Sequence, residues 1–312
     1  MKTIAIIAVV GLAAAVLLSM SSTSTSTEES QFREFLNEYR VGYANSNEYS
    51  YRLSVFKDNL KKIDELNRLN PQATFAVNKF ADRTPAEMEK MMGLIVAQPT
   101  NVREVYSPSL AKDQDWTDKM WSVKDQGQCG SCWAFSAVAA VEGGLMVHGG
   151  KPKVDFNIAE QQLVDCDPQS QGCNGGWMDW AFQYYAGAGF MREADYPYRA
   201  RTQTCAAVPS KFVGKLAGHV DIPAGNVNAL IDALQVRPVS VAVDASTWSW
   251  YSGGVLSNCG SSLNHGVTLV GSSNGVHKIR NSWGAGWGEK GHIRLAAGNT
   301  CGVANVASYP TF

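Results

Sequence analysis

The chain opens with an uninterrupted apolar run from Ile4 to Leu18, which follows Met1-Lys2 and precedes the serine-rich Ser19 to Ser22. A positive start, a short apolar centre and small residues after it are typical of a secretory signal peptide, which we place at residues 1–21. The run is shorter than the ~20 residues that a membrane-spanning helix needs, so a retained signal anchor is the less favoured alternative.

A helical pattern follows between about Gln31 and Met92. Within it, charged, amide and apolar residues recur every three or four positions, so they share one face of a helix. These residues are Glu48, Arg52, Phe56, Asn59, Ile63 and Asn67. Because the face is mixed, it predicts a helix that crosses another helix with its polar members paired across the contact. A solvated helix with chance spacing is the alternative, and Pro71 and Pro85 are expected to stop helices.

Further along, good helix formers fill Trp133 to Glu142, and Gly143-Gly144 is expected to end or kink that helix. Asn157 to Glu160 has the pattern of a capping box before another helix. Trp180 to Tyr185 predicts one more helical segment.

Beyond Gly218, short apolar stretches separated by glycines predict β-strands. The stretches are Val239–Val243, Gly266–Val270, His277–Arg280 and Gly291–Leu295. A helical half followed by a strand-rich half predicts an α+β fold with two domains. A cleft between two domains is a preferred ligand site.

Composition adds two restrictions to this picture. The 312 residues are 45% hydrophobic and 18% charged, as in an ordinary globular protein, and the net charge of −1 without a Lys/Arg cluster excludes a general nucleic-acid binder. Seven cysteines all follow residue 128, and the odd number leaves one unpaired if the others form disulfides. That pattern is expected in an oxidising compartment.

The strongest candidate for chemistry is the stretch Gln126 to Ser136, Gln-Gly-Gln-Cys-Gly-Ser-Cys-Trp-Ala-Phe-Ser. Its second cysteine, Cys132, begins the predicted helix, where unpaired N–H groups and the helix dipole favour a thiolate nucleophile. Cys129 and Cys132 also form a Cys-x-x-Cys. On that tetrapeptide alone, a redox pair or half of a zinc site is as good an interpretation.

The longer string Cys-Gly-Ser-Cys-Trp is the local signature of papain and the cathepsins. From about Gln31 to Phe312 the chain resembles the papain family of cysteine peptidases, and within it the cathepsin L-like branch. The resemblance implies a papain-like two-domain fold, with a helical left domain, a β-barrel-like right domain and a cleft between them. It implies this organisation: signal peptide 1–21, helical inhibitory propeptide 22–108, mature helical domain 109–218 with Cys132, and mature β-rich domain 219–312 with His265 and Asn281.

A cysteine nucleophile needs a histidine that first accepts and then donates a proton. His265 and His277 both fall within the ~130–150 residues after the cysteine that this family uses, so spacing leaves them tied. Asn264-His265-Gly266 begins an apolar strand, as the catalytic histidine of the family does. His277 lies in an alternating strand, where we expect a surface position.

The resemblance assigns three supporting roles. Asn281 would orient the imidazole, and Trp283 would shield the Asn–His hydrogen bond from water. Gln126 would form an oxyanion hole with the backbone N–H of Cys132. The alternatives are a turn asparagine and an exposed loop glutamine.

Six cysteines can pair in 15 ways by sequence alone. The resemblance selects Cys129–Cys173, Cys166–Cys205 and Cys259–Cys301. Cys132 is then the single free thiol, and the redox interpretation of Cys-x-x-Cys is removed.

For the substrate, the resemblance assigns an apolar pocket for P2, the residue before the one at the scissile bond. Its lining is Trp177, Met178, Ala242, Leu263, Gly266 and Val306. We expect bulky aliphatic or aromatic P2 residues and rejection of arginine, whose charge would be buried unpaired. Gly175 and Gly176 would let the substrate backbone approach closely. Asn264 replaces an aspartate common in the family, and core packing is the alternative role for Trp177 and Met178.

The six-residue face described above matches the inhibitory propeptide of cathepsin L-like peptidases, and Asn78, Phe80 and Asp82 match its second motif. The family therefore implies a prosegment that runs backwards through the cleft, with activation cleavage between Val105 and Ala111. Protonating carboxylates such as Glu48 and Asp82 would favour activation at acid pH.

Together these features predict a cysteine endopeptidase that acts through a Cys132 thiolate–His265 pair and an acyl-enzyme and is made as an autoinhibited zymogen. No cofactor and no metal are expected. The expected partners are peptide or protein substrates, the chain's own propeptide and cystatin-type inhibitors, without nucleic acid or a stable membrane span after signal removal. We expect a monomer in the secretory pathway, in a lysosome or vacuole or outside the cell. A thiol–disulfide oxidoreductase, a non-catalytic binding module and an acyl transferase are the alternative functions.

Overall fold

The structure is a computed structural model that describes residues 27–103, 113–149 and 156–312. The predicted signal peptide, and the predicted activation cleavage between Val105 and Ala111, lie outside the described residues. None of the described helices combines the length and the apolar character needed to cross a membrane.

Among the described residues, the first of two compact units comprises residues 27–64 together with Val77–Arg83. Its helices are α1 (residues 27–39) and α2 (Ser46–Leu69). Aromatic side chains form its core: the ring centroid of Phe56 on α2 lies 5.1 Å from that of Phe32 and 5.4 Å from that of Phe35 on α1. The predicted helix crossing is therefore present, and apolar rings make the contact.

The polar members of the same face bind other partners than the sequence predicted. Arg52 Nη1 donates to the Asp82 carbonyl (3.0 Å), and Asn59 Nδ2 donates to the carbonyls of Ala81 (2.8 Å) and Arg83 (2.9 Å). These carbonyls belong to a segment without helix or strand, so the expected pairing with a second helix is wrong. The side chains supply hydrogen bonds that this segment's backbone does not make within itself.

The three residues of the second predicted propeptide motif lie in that segment. Asn78 Oδ1 accepts from Phe80 N (3.0 Å) in a tight turn, and the Phe80 ring is buried. Asp82 Oδ2 accepts from the Tyr43 hydroxyl (2.8 Å). Glu48 Oε2 accepts from Ala44 N (3.0 Å) just before α2.

The second unit comprises Glu65–Ala76 together with Thr84–Phe312. Here Asn67 pairs with Phe75 in both directions, at 2.9 Å to its carbonyl and 2.8 Å from its N–H. Helix α3 (Pro85–Glu89) starts with a capping box between Thr84 and Glu87. Pro85 therefore begins a helix instead of stopping one, because the first helical position does not use its N–H.

Nine strands of this unit form one sheet in the order β1-β5-β8-β7-β6-β4-β9-β3, with β2 paired to β6. The strands are β1 (Ala73–Phe75), β2 (Gln114–Asp115), β3 (Gly218–Ile222), β4 (Val239–Val243), β5 (Tyr251–Leu256), β6 (His265–Ser273), β7 (Val276–Arg280), β8 (His292–Leu295) and β9 (Ala307–Thr311). All four predicted strands are confirmed. The sheet is open, with β1 and β3 at its edges, so the expected closure into a barrel is not seen.

Helix α4 (Cys132–Gly149) packs on this sheet and runs through Gly143-Gly144 without ending, so the predicted stop is wrong. A Cβ on Gly143 would lie 2.5 Å from Pro238 Cγ, and one on Gly144 would lie 2.6 Å from Phe312 Cε2. These glycines therefore allow close packing of the helix and do not terminate it.

The remaining helices are α5 (Glu160–Cys166), α6 (Met178–Gly187) and α7 (Val227–Leu234). Helix α6 confirms the segment predicted around Trp180 to Tyr185. The capping box predicted at Asn157 is wrong, because α5 has Ala159 at its N-cap and no side-chain cap. The Glu160 carboxylate instead accepts from Lys124 Nζ at 2.7 Å.

Candidate active site

Cys132 is the first residue of α4 and, among the described residues, the free cysteine. Its side chain is fully buried, and its Sγ accepts from the backbone N–H of Gly266 at 3.4 Å. Burial raises the pKa of the Cys132 thiol to about 11, although the backbone N–H groups of Gly266, Gly93 and Trp133 act in the opposite direction. In this state, burial outweighs the helix N-terminus that favours a thiolate.

His265 is the first residue of β6 and precedes Gly266, so the strand brings the predicted base to the same place as the predicted nucleophile. Its Nε2 lies 2.8 Å from Asn281 Oδ1. Since that oxygen can only accept, Nε2 carries the proton. The other ring nitrogen, Nδ1, has no hydrogen-bond partner among the described residues. Burial lowers the pKa of His265 to about 4, so the ring is neutral.

The second candidate histidine, His277, is a buried residue of the sheet, and the predicted surface position is wrong. Its strand, β7, lies between β6 and β8, so both of its edges are paired. His277 Nε2 is 2.9 Å from the Gly298 carbonyl. The two histidines that spacing left tied thus lie in clearly different surroundings.

An aromatic wall surrounds the His265–Asn281 pair. The ring centroid of Trp283 lies 5.0 Å from that of His265, and Trp283 is fully buried. Trp248 approaches the imidazole edge-on at 6.4 Å, and Trp287 packs on Trp283 at 5.0 Å. Trp248 and Trp287 were not predicted from the sequence, because a single tryptophan does not indicate which residues it will pack against in the fold.

Gln126 is completely buried, which excludes the exposed-loop alternative. Its Oε1 accepts from the Ser282 hydroxyl at 2.6 Å, and its backbone N–H donates to the Ser282 carbonyl. Its Nε2 donates to the carbonyls of Met91 (2.7 Å) and Cys129 (2.8 Å). Both protons of the predicted oxyanion donor are therefore in use.

The residues 91–95, called the covering segment below, run over this site. Gly176 N donates to the Gly93 carbonyl (3.0 Å), and Ile95 N donates to the Gly176 carbonyl (2.9 Å). A Cβ on Gly93 would lie 1.8 Å from the Gly130 carbonyl oxygen, so only glycine fits there. Gly175 is equally confined: its φ is +122°, and a Cβ would lie 3.0 Å from the Gly93 carbonyl. No sequence motif pointed to Met91 or Gly93.

Leu94 packs against a buried apolar cluster that includes two of the residues predicted to hold P2, Met178 and Ala242. Two more of them, Leu263 and Val306, are partly buried and pack against the same cluster. Gly266 adjoins them, since a Cβ on it would lie 3.2 Å from Met178 Sδ. Trp177 is buried too, but its indole Nε1 donates to Asp179 Oδ2 at 2.7 Å.

The Asn264 side chain is committed to the loop beside it. Its Oδ1 accepts from Ala245 N (2.9 Å), and its Nδ2 donates to the Ser246 hydroxyl (3.1 Å). The amide holds the chain leading to β6 in place. An effect of Asn264 on the imidazole therefore has to act through the position of that chain.

The six other cysteines form three disulfides, in the pairs that the resemblance implied. They are Cys129–Cys173, Cys166–Cys205 and Cys259–Cys301. Because Cys129 is bonded to Cys173, it cannot form a redox pair with Cys132, and the thiol–disulfide interpretation fails.

Comparisons with known proteins give the same picture. Residues 110–311 match the papain family cysteine protease domain, and residues 32–88 match the cathepsin propeptide inhibitor domain (I29). Cathepsin L 2 of Paramecium tetraurelia is 42% identical over 284 residues, covering 87% of this chain and 89% of its own. Cysteine protease XCP2 of Arabidopsis thaliana is 41% identical over 309 residues, covering 90% of this chain and 85% of its own.

Solved proenzyme structures share the fold. Digestive procathepsin L 3 from the larval midgut of Tenebrio molitor aligns with a TM-score of 0.83 at 39% identity, covering 91% of this chain and 99% of its own. The recombinant stem bromelain precursor aligns with a TM-score of 0.82 at 33% identity, covering 92% and 99%. The chain belongs to the papain family of cysteine proteases and carries a cathepsin-type inhibitor propeptide.

Proposed function

We propose that this chain is the zymogen of a cysteine endopeptidase in which Cys132 is the nucleophile and His265 the general base and acid. The observation that carries the proposal is the hydrogen bond from Gln126 Nε2 to the Met91 carbonyl. A backbone carbonyl of the covering segment occupies the donor that a reacting peptide would need. The segment thus blocks the site by imitating part of a substrate.

The catalytic cycle follows from the same atoms. When the covering segment leaves, water reaches the site and the thiol proton moves from Cys132 Sγ to His265 Nδ1, whose lone pair is free. The thiolate attacks the peptide carbonyl carbon, and Gln126 Nε2 and the Cys132 N–H donate to the developing oxyanion. His265 returns the proton to the leaving amine as the C–N bond breaks. Water then adds to the thioester with His265 as base, which releases the acid and restores Cys132.

Asn281 and Trp283 hold the imidazole ready for both steps. Asn281 Oδ1 accepts the Nε2–H, which fixes the tautomer that leaves Nδ1 as the base. The buried Trp283 ring keeps water from competing for that hydrogen bond. Asn281 is therefore a positioning residue, and the reacting atoms are those of Cys132 and His265.

Activation at acid pH is part of the proposal, but the catalytic pair does not supply its pH dependence. In the zymogen the Cys132–His265 pair holds its one titratable proton on sulfur, and in the active enzyme it holds that proton on the ring. Release of the covering segment therefore takes up no proton at this pair over the pH range where the thiolate–imidazolium pair is stable.

The P2 preference is proposed from the contact that Leu94 makes with the apolar cluster. A leucine of the covering segment packs on the cluster that contains Met178 and Ala242, as Leu263 and Val306 do, so bulky apolar side chains of a substrate suit this surface. Arginine would bury its charge without a partner there. Turnover of a peptide library should favour leucine, valine or phenylalanine at P2 over arginine, and equal turnover would refute the assignment.

The organisation into prosegment 22–108 and a mature enzyme from residue 109, with domains meeting at residues 218 and 219, remains our proposal. It is supported by the propeptide match and by the covering segment. The disulfides favour the secretory pathway, with a lysosome or vacuole or the extracellular space as the destination. A monomer that cystatin-type inhibitors can block is part of the same proposal.

The decisive experiment uses the full-length chain after processing at acid pH. An epoxysuccinyl peptide should alkylate Cys132 and abolish hydrolysis of a fluorogenic peptide, while the Cys132→Ala variant should show neither label nor hydrolysis. If Cys132→Ala hydrolysed the peptide at the wild-type rate, the proposed function would be wrong.

A further inference from the structure

A second group of ionisable side chains lies beside the path of the prosegment. Asp179 belongs to α6, and His219 and Asp221 belong to β3. Their exposed fractions are 3, 6 and 1%. One potential ligand atom from each residue lies within 4.8 Å of the other two. A carboxylate pair and an imidazole buried together need either a cation or a shared proton to be stable.

Three polar atoms of this group have no hydrogen-bond partner among the described residues. They are Asp179 Oδ1, His219 Nε2 and Asp221 Oδ1. His219 Nε2 is 3.5 Å from Asp221 Oδ1, too far for a good hydrogen bond. The hydroxyl of Ser308, which faces Asp221 across the β3–β9 pair, lies beside the Asp179 carboxylate. Since buried polar atoms are normally satisfied, three such atoms in one place indicate a site for a ligand.

The other oxygen of each carboxylate is already held. Asp179 Oδ2 accepts from Trp177 Nε1 at 2.7 Å. Asp221 Oδ2 accepts from the backbone N–H groups of Thr100 (2.9 Å) and Asn101 (2.7 Å). These bonds hold both carboxylates in place, and Asp221 Oδ1 lies 3.5 Å from His219 Nε2. Outer hydrogen bonds of this kind orient the ligands in metal sites.

The electrostatics also favour a positive ion. Two carboxylates buried side by side repel each other, and a cation between them would remove that repulsion. A single proton can join only two of the three unsatisfied atoms, whereas a cation at their centre can contact all three. One nitrogen and two carboxylate oxygens form a donor set that suits a zinc-like ion better than calcium or magnesium.

We propose that Asp179 Oδ1, His219 Nε2 and Asp221 Oδ1 bind one divalent transition-metal ion, for which zinc is the best match. A water molecule or the Ser308 hydroxyl would complete the tetrahedral set that zinc prefers. The ion would sit at the base of the contact between Asp221 and the prosegment residues Thr100 and Asn101. No pattern in the sequence pointed to this site, because 40 residues separate Asp179 from His219 and no ligand-spacing motif joins them.

The test uses the full-length zymogen with Cys132→Ser, which removes a competing thiol and prevents processing. Calorimetric titration with zinc chloride should give one site per chain. Asp179→Asn and His219→Phe should each weaken zinc binding by about 100-fold or more. His292→Gln is the matched control, because His292 is another buried histidine whose Nε2 has no partner among the described residues. It should bind zinc as the parent does.

X-ray absorption at the zinc edge identifies the ligand atoms in the parent zymogen directly, so this part of the test stands even if a variant fails to fold. It should show a shell of nitrogen and oxygen atoms with an imidazole contribution that His219→Phe removes. Absence of stoichiometric binding to the parent would refute the site. So would sulfur in the zinc shell, or His219→Phe binding zinc as tightly as the His292→Gln control.

Discussion

The side-chain amide of Gln126 donates a 2.7 Å hydrogen bond to the backbone carbonyl of Met91. Both protons of that amide nitrogen are engaged, one by Met91 and the other by Cys129. In the proposed mechanism, removal of the prosegment frees the first of them to donate to the oxyanion of the reacting peptide. On this proposal, one side chain serves inhibition before processing and catalysis after it.

We therefore expect Gln126→Ala to lower the kcat of the processed enzyme by about 10²–10³, as the loss of one oxyanion donor does. KM should change little, because the donor acts mainly on the transition state. Gln171→Ala, at an exposed glutamine, is the control and should keep full activity. A Gln126→Ala enzyme with unchanged kcat would remove Gln126 from the mechanism.

Gly93→Ala is expected to weaken inhibition by the prosegment about 10–100-fold. The added Cβ would lie 1.8 Å from the Gly130 carbonyl, so the covering segment would have to move away from Cys132. The measurement is the inhibition constant of the isolated prosegment, added to the processed enzyme. Gly42→Ala, where a Cβ meets nothing within 4 Å, is the matched control. If the Gly93→Ala and Gly42→Ala prosegments inhibited equally well, the close approach of Gly93 to the Gly130 carbonyl would not matter for inhibition.

The reactivity of Cys132 should report burial by the covering segment. With the thiol pKa raised to about 11, only about one molecule in a thousand is a thiolate near pH 8. Alkylation of the intact zymogen by iodoacetamide should therefore be slow near neutrality and rise about tenfold per pH unit up to about pH 11. After processing, alkylation should already be fast at mildly acid pH. Fast alkylation of the unprocessed chain near pH 7 would show that the thiol is not protected.

Acid should destabilise the zymogen through two buried histidines. Burial lowers the pKa of His265 and of His292 to about 4, while an unfolded histidine titrates near 6.5. The unfolded chain thus binds protons that the folded chain does not. Stability is complete above about pH 6.5 and falls as the pH drops toward 4, by about 3 kcal/mol at most for each ring. Urea unfolding of Cys132→Ser across this range measures the loss, and His292→Gln should reduce it; an identical pH dependence would contradict this.

Short sequence patterns correctly predicted the strands and pointed to the cysteine and histidine of the candidate site. The four strands were recognisable because apolar stretches between glycines have few other structures available. The Gln126 to Ser136 string pointed to Cys132, and the choice of His265 over His277 depended on the sequence around each. The structure separates the two histidines physically, since the ring of one faces Asn281 and that of the other is fixed by Gly298.

The features that the sequence misjudged depend on distant neighbours. Gly143-Gly144 has the composition of a helix stop, but Pro238 and Phe312 require small residues at those positions. Asn157 to Glu160 has the sequence pattern of a capping box, but the Glu160 carboxylate binds Lys124 instead. The group of Asp179, His219 and Asp221 was invisible for the same reason, because β3 and α6 meet only in the folded chain.

Strand β1 belongs to the prosegment and pairs with β5, where Ala73 and Thr74 face Gly254 and Gly253. Processing therefore removes β1 from the sheet and makes β5 an outer strand, and the Val255 N–H loses the Gln72 carbonyl that it now binds. Outer strands invite pairing with other chains. Two adjacent glycines make β5 a poor template for such pairing, because they offer a visiting strand no side chains to pack against. Loss of the prosegment therefore need not create an edge strand that pairs with other chains.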